Sequence, residues 1–264
     1  MDLNLTGKIA LVSGSTAGIG LAIATTLTQE GETVVINGRT TERVNGAIAH
    51  IKQTVTDAKL QGVVADLGTQ AGASELFAQF PEVDILINNL GIFASKAFEE
   101  IPDDEWMKFL EVNVMSGVRL SRHYLPLMLK KNLGRIIFIS SESAINIPAE
   151  MIHYGVTKTA QLGLARGLAE TTVGTNVTVN SVLPGPTRSE GVEGFIAGLA
   201  KDQAIAPKQV EKEFFEKVRP SSLIKRFATT EEVAALVAFI ASPLASAING
   251  AALRVDGGVV RSIV

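Results

Sequence analysis

Short apolar runs alternate with longer amphipathic stretches along most of this chain. Lys8–Val12 (K-I-A-L-V), Thr33–Asn37 (T-V-V-I-N), Gln61–Ala65, Asp84–Asn88 (D-I-L-I-N), Gly134–Ser140, Asn176–Val182 and Ala251–Val255 are bounded by turn-forming or polar residues. Such runs predict strands buried on both faces. The stretches between them carry a helical period. Helices are predicted from Leu21, over Thr41–Val55, Ala71–Phe80 and Asp104–Lys131, at the start marked by Tyr154 and Lys158, and over Arg226–Ser242. In Asp104–Lys131, residues Trp106, Phe109, Leu110, Val114, Leu120 and Tyr124 supply one apolar face. Asn113 falls in its middle, where an asparagine competes for backbone hydrogen bonds, and marks a distortion; Pro126 disturbs the ladder further along.

Strands and helices in alternation predict an α/β fold. The expectation is a single-domain, Rossmann-type doubly wound parallel sheet of about seven strands, with helices on both faces and right-handed crossovers. Ligands in such sheets sit at the carboxyl ends of the strands. Residues 190–222 are longer than a simple connection. Two short helices fit there, 191–204 and 207–218, with Pro207 favourable at a helix start and Pro220 beyond an end.

Composition narrows the function. At 264 residues with no linker, charge block or repeat, residues 1–264 read as one domain. A net charge of -3 gives no footprint for nucleic acid or an anionic membrane. The chain has no cysteine, and its three histidines, His50, His123 and His153, are not spaced as metal ligands, so no metal site is expected. The N-terminus does not read as a signal peptide and no run is long enough to span a bilayer, which sets the expectation of a cytoplasmic protein.

Candidate chemistry gathers at the predicted strand ends. Gly14–Gly20 (G-S-T-A-G-I-G) follows the first strand and opens a helix. Gly14, Gly18 and Gly20 allow a tight turn and let a dinucleotide phosphate approach the backbone, with the helix N-terminus offering amide donors. The second strand ends without an acid to repel a 2′-phosphate; Arg39 is placed to meet one and Thr40 to donate a hydrogen bond, which favours NADP(H) over NAD(H). Asp66 and Asn89 fall just past strand ends, where turn roles also favour such residues. Tyr154 and Lys158 share one helical face, and an ammonium held beside a phenol favours the phenolate.

Taken in order, Gly14–Gly20, Asp66-Leu67, the N-N-L-G of residues 88–91, Asn113, Ser141, the Y-G-V-T-K of residues 154–158 and the P-G-P-T of residues 184–187 resemble the short-chain dehydrogenase/reductase family over nearly the whole chain. The segment from Arg226 and the D-G-G of residues 256–258 resemble its C-terminal part. The resemblance implies a nicotinamide-dependent oxidoreductase acting on a carbonyl/secondary alcohol pair, most similar to 3-oxoacyl-thioester reductases. It implies a catalytic tetrad of Asn113, Ser141, Tyr154 and Lys158. Tyr154 would be the acid or base, Ser141 would hold the substrate oxygen, and Lys158 would bind the nicotinamide ribose and lower the pKa of the phenol. Asn113 would hold a water linking Lys158 to solvent. Ser141 is chosen over Ser140 and Ser143 by the family's spacing to the tyrosine, with Ser143 as an auxiliary contact. Cofactor contacts would come from Gly14, Thr16, Gly18, Ile19, Gly20, Arg39, Thr40, Asp66, Leu67, Asn89, Gly91, Tyr154, Lys158, Pro184, Gly185 and Thr187.

The resemblance also makes 190–222 a lid over the substrate. Phe195, Ile196, Leu199, Val210, Phe214, Phe215 and Val218 then either line a largely apolar pocket or pack the lid onto the body or a neighbouring subunit. A homodimer or homotetramer is implied, with the tail Val259, Val260, Ile263 and Val264 at a subunit contact or on its own domain. Three positions depart from the family pattern: Leu90 in N-N-L-G, Ala17 where many NADP-using members carry a basic residue, and Ser189 in place of a threonine. A dinucleotide-binding regulatory or scaffold protein without turnover is the rival reading, against which the complete tetrad stands.

Overall fold

The computed structural model describes residues 2–202 and 205–263. Strands β1 (Ile9–Val12), β2 (Thr33–Gly38), β3 (Lys59–Val64), β4 (Ile85–Asn88), β5 (Gly134–Ile139) and β6 (Val177–Pro184) are followed by a small pair, β7 (Thr187–Arg188) and β8 (Ala228–Thr229), and by β9 (Ala252–Val255). The main sheet has seven strands in the order β3-β2-β1-β4-β5-β6-β9. Every pairing in it is parallel. The order reverses between β1 and β4, so the crevice at their carboxyl ends is where a dinucleotide fold receives its ligand.

The faces are covered as the apolar pattern requires. Helices α1 (Gly18–Gln29) and α2 (Thr41–Thr54) lie on one face. Helix α3 (Gln70–Gln79) lies on the other. The stretch predicted as one helix over 104–131 is instead α4 (Asp103–Leu110), a π turn at Glu111–Met115 and α5 (Ser116–Lys131). The distortion falls on Asn113, as its poor fit to a helix interior foretold. Helix α6 (Ile152–Glu170) joins α3 and α5 through Ala165 and Ala169.

The region after β7 forms α7 (Glu190–Asp202), α8 (Pro207–Glu213) and a second π turn at Phe214–Val218. The predicted end of the first of these helices at Ala204, the side chains of Phe195 and Leu199, and Val264 lie outside the described residues. Ile196, Ala200, Val210, Phe215 and Phe227 make a separate small core, with Phe214 packed on it. Of the two roles expected for them, Ile196, Val210, Phe214 and Phe215 show the packing one, against one another and Phe227. Val218 remains 45% exposed.

Parallel pairing of β7 with β8 ties together the two roots of this region. Helix α9 (Thr230–Ala241) begins later than the predicted Arg226, because Thr229 and Glu232 form a reciprocal capping box, a device contributing about 1 kcal/mol. In the tail, Val259 and Val260 are buried on their own domain while Ile263 is exposed.

Candidate active site

The glycine turn after β1 is braced from three sides. Asn37, buried at the end of β2, accepts from the Gly14 amide at 3.0 Å and donates to the Ala65 carbonyl at 3.0 Å. Asn89 Nδ2 donates to the carbonyls of Ser13 (3.0 Å) and Gly14 (3.1 Å), while Ser13 Oγ accepts from the amides of Asn89 and Leu90. Gly14 and Gly18 have φ of +63° and +56°, a region costly for other residues. A Cβ on Gly20 would lie 2.4 Å from the Gly14 carbonyl oxygen. The turn therefore brings bare backbone to the start of α1, whose N-cap, Ala17, provides no side-chain bond to the first amides. These features fit a dinucleotide phosphate.

The other expected cofactor residues divide. Arg39 is exposed, with no hydrogen bond or ion pair among the described residues. Thr40 caps α2 by accepting from the Arg43 amide at 3.4 Å, and its hydroxyl donates to the Glu42 carboxylate, which commits it within the first turn of the helix. Thr16 sits over Gly38, whose added Cβ would lie 2.5 Å from its methyl group. Ile19 is half-buried in the first turn of α1. Asp66 is exposed and accepts from the Gly68 amide at 3.0 Å, a turn role. Leu67 is only 1% exposed and packs in the core beneath the sheet, so its side chain is removed from the cofactor set. Pro184 ends β6; Gly185 lies against Asp256, which a Cβ would meet at 2.6 Å. Thr187 turns its hydroxyl onto the Gly185 carbonyl at 2.9 Å.

The four residues of the expected tetrad converge at the carboxyl end of β5. Ser140 Oγ donates to the Lys158 carbonyl at 2.9 Å, which commits that hydroxyl to structure. Ser141 Oγ accepts from the Ser143 amide at 3.1 Å, and its own proton is directed to the Tyr154 phenol oxygen. This distinguishes Ser141 from its neighbours. Ser143 is buried behind it. Lys158 is 4% exposed and donates to the Ile139 carbonyl at 2.8 Å; its Nζ lies 5.6 Å from the Tyr154 ring centre. Gly91 closes over it, since an added Cβ would lie 3.4 Å from Lys158 Nζ.

Asn113 holds the π turn in place. Its Oδ1 accepts from the Ile92 amide at 2.7 Å, and its Nδ2 donates to the Ile92 carbonyl at 2.9 Å and to Thr157 Oγ1 at 3.0 Å. Its backbone carbonyl accepts from Gln161 Nε2 at 2.6 Å.

Burial sets the protonation states. It pushes the Tyr154 phenol up to about 12, against the opposing Ser141 hydroxyl and with help from the Glu142 carboxylate. It pulls Lys158 down to about 7. The expected lowering of the phenol by the ammonium is not among the causes of its shift, which desolvation dominates. Near neutral pH the phenol carries its proton and can give it to a developing oxyanion.

The sequence pattern missed four contributors. Asn37 was read only as a strand end. Gln161 is a buried polar residue one turn beyond Lys158 on the inward face of α6, and that placement was its available signal. Glu142, 3% exposed, accepts from Arg219 Nε at 3.0 Å, joining the end of the 190–222 region to the residue after Ser141. Phe93 sets its ring edge-on to Tyr154, with centres 6.4 Å apart.

A family profile described as enoyl-(acyl carrier protein) reductase matches residues 14–260. The uncharacterized oxidoreductase YvaG of Bacillus subtilis is 54% identical, the match covering 100% of both chains. The 3-oxoacyl-[acyl-carrier-protein] reductase FabG of Aquifex aeolicus is 32% identical, covering 98% of this chain and 100% of that one. The chain belongs to the short-chain dehydrogenase/reductase family. Its members' fold is matched by L-sorbose reductase from Gluconobacter frateurii, solved with NADPH and L-sorbose, at a TM-score of 0.93 and 31% identity over 100% of each chain. As a short-chain dehydrogenase/reductase, the protein is an oxidoreductase acting on CH-OH or C=O groups with a nicotinamide cofactor.

The three departures from the family pattern have local accounts. Leu90 lies against the glycine turn, where a Cβ on Gly14 would meet it at 3.4 Å. Ala17 is the uncapped N-cap of α1. Ser189 accepts from the Val192 amide at 3.4 Å and so starts α7 beside Gly18.

Proposed function

We propose that the protein is an NADP(H)-preferring reductase/dehydrogenase for a small carbonyl or secondary alcohol with an apolar body, in the manner of 3-oxoacyl-thioester reductases. The observation that carries this reading is the junction at the end of β5, where the Ser141 hydroxyl meets the protonated phenol of Tyr154 beside buried Lys158, so that one oxygen placed between them would face two donors. Bound nicotinamide supplies or accepts the hydride. Ser141 donates to the substrate oxygen and orients the carbonyl carbon. Tyr154 donates its phenolic proton as negative charge grows on that oxygen, and takes a proton back in alcohol oxidation. Lys158 stabilises the resulting phenolate and binds the nicotinamide ribose. Asn113 keeps the π turn, and with it Gly91 and Ile92, packed against the pair.

The cofactor preference rests on Arg39 being exposed and uncommitted while Asn37, a neutral residue, fills the end of β2. An apolar substrate body is supported by Phe93 beside Tyr154 and by Ile145 and Ile147, exposed on the loop joining Ser141 to Tyr154. Residues 190–222 act as the lid, fastened to Glu142 through Arg219. The assembly is a homodimer or homotetramer, measurable by light scattering.

Nicotinamide absorbance, followed with NADPH and NADH against ketones, acyl thioesters and sugars, tests the activity. Turnover of an apolar ketone or 3-oxoacyl thioester with NADPH is the expected result. Tight cofactor binding with no turnover across the panel would favour the regulatory reading. Arg39→Ala should weaken NADPH binding about tenfold and leave NADH binding unchanged; equal loss for both cofactors would overturn the NADP preference.

A further inference from the structure

We propose that Gln161 is a positioning residue that clamps Lys158 to the π turn carrying Asn113. Its side chain is 2% exposed and lies one helical turn past Lys158 on α6. Oε1 accepts from Lys158 Nζ at 3.3 Å and Nε2 donates to the Asn113 carbonyl at 2.6 Å. An ammonium can only donate and a carbonyl can only accept, so one orientation of the amide satisfies both. The arrangement is therefore directional. An apolar side chain at this position would leave a buried ammonium short of an acceptor and a buried carbonyl short of a donor.

The clamp also limits what Lys158 can do. Of the three ammonium protons, one goes to the Ile139 carbonyl and one to Gln161, leaving one for the cleft beside Gly91. Gln161 engages the Asn113 carbonyl, the group nearest in the chain to the expected water relay, and couples the lysine to that helix by a side chain. Because the amide is neutral, it supports the charged form of Lys158 by hydrogen bonding alone and adds no counter-charge that would oppose the phenolate.

The titratable groups around Lys158 are Tyr154 on its own helix and Glu142, which acts on Tyr154 from the segment after β5. The loop after β4, the π turn and β5 present Gly91, Asn113 and Ile139, which carry no charge. A change at Gln161 is thus read directly in the titration of Lys158. The inference rests on the reading of Lys158 as the partner of Tyr154, but its first test needs neither cofactor nor substrate.

Titration of the Lys158 Nζ resonance by 15N NMR, in the full chain and in Gln161→Met and Gln161→Glu, separates the roles. The clamp predicts a midpoint lower by about one pH unit in Gln161→Met and higher by about one in Gln161→Glu. A mere strut between α6 and the π turn predicts lower melting temperatures with the midpoint unmoved, which would overturn the proposal. If Gln161→Met does not fold, the Gln161→Glu midpoint decides alone: raised supports the clamp, unmoved overturns it. Once a substrate turns over, Gln161→Met should cut kcat about tenfold with KM unchanged and move the pH profile with the midpoint. Failure of wild-type turnover would sink the activity and leave the NMR result standing.

Discussion

Both ends of the central sheet bury an ionisable group, and they treat it differently. At the carboxyl end Lys158 has two acceptors, the Ile139 carbonyl and Gln161 Oε1, and an aromatic neighbour. At the amino end Glu32, just before β2 and 0% exposed, has no hydrogen-bond partner on either carboxyl oxygen among the described residues. Burial, with Glu30 and Asp84 adding to it, pushes Glu32 up to about 9 from 4.5. Burial pulls Lys158 down to about 7 from 10.5. Burial moves both groups toward the neutral form, but only at the carboxyl end, where the proposed chemistry uses the group, does the fold supply hydrogen-bond partners.

These opposite shifts give opposite dependences of stability on pH. Between about 7 and 10.5 the unfolded lysine binds more protons than the folded one, so Lys158 makes stability rise with pH across that window and adds no slope below it. Between 4.5 and about 9 the folded glutamate holds the extra proton. The contribution of Glu32 is therefore full below 4.5 and is lost as pH climbs to about 9. Over the shared range the two slopes offset one another.

Breaking the carboxyl end should have the larger effect. Lys158→Met is expected to lower turnover by about 10²- to 10³-fold, to weaken cofactor binding, and to remove the rising slope, up to about 1.4 kcal/mol per pH unit. Steady-state kinetics and urea unfolding at several pH values check both arms. Glu32→Gln is expected to remove the falling slope and to raise stability at pH 8 by on the order of 2 kcal/mol. Its kcat should be unchanged, and a drop would couple the amino end to the site. The smallest effect sharpens the contrast within the carboxyl end: Arg219→Met frees Glu142 from the 190–222 region and should raise substrate KM by about three- to tenfold with little change in cofactor affinity.

How much of this was legible depends on what each residue's position reveals. The strands were readable because a parallel strand covered on both faces needs an uninterrupted apolar run, as in Ile85–Asn88. Asn113 announced the π turn because asparagine fits a helix interior poorly. The pairing of β7 with β8 was invisible, since strands of two residues carry no period. Phe214 and Phe215 have helical spacing, but spacing does not say which surface they cover, and the answer was Phe227. Thr229 and Glu232 did carry a readable start signal for α9, overlooked beside the apolar run that follows. The relation between Gln161 and the Asn113 carbonyl joins residues far apart in sequence, which only the folded chain brings together.

The central claim is that Tyr154 gives and takes the proton while hydride moves at the end of β5. Tyr154→Phe, followed by nicotinamide fluorescence for binding and absorbance for turnover, tests it most directly. The account predicts NADPH affinity within about threefold of wild type and turnover lower by about 10³-fold. Turnover within tenfold of wild type, with binding intact, would contradict it.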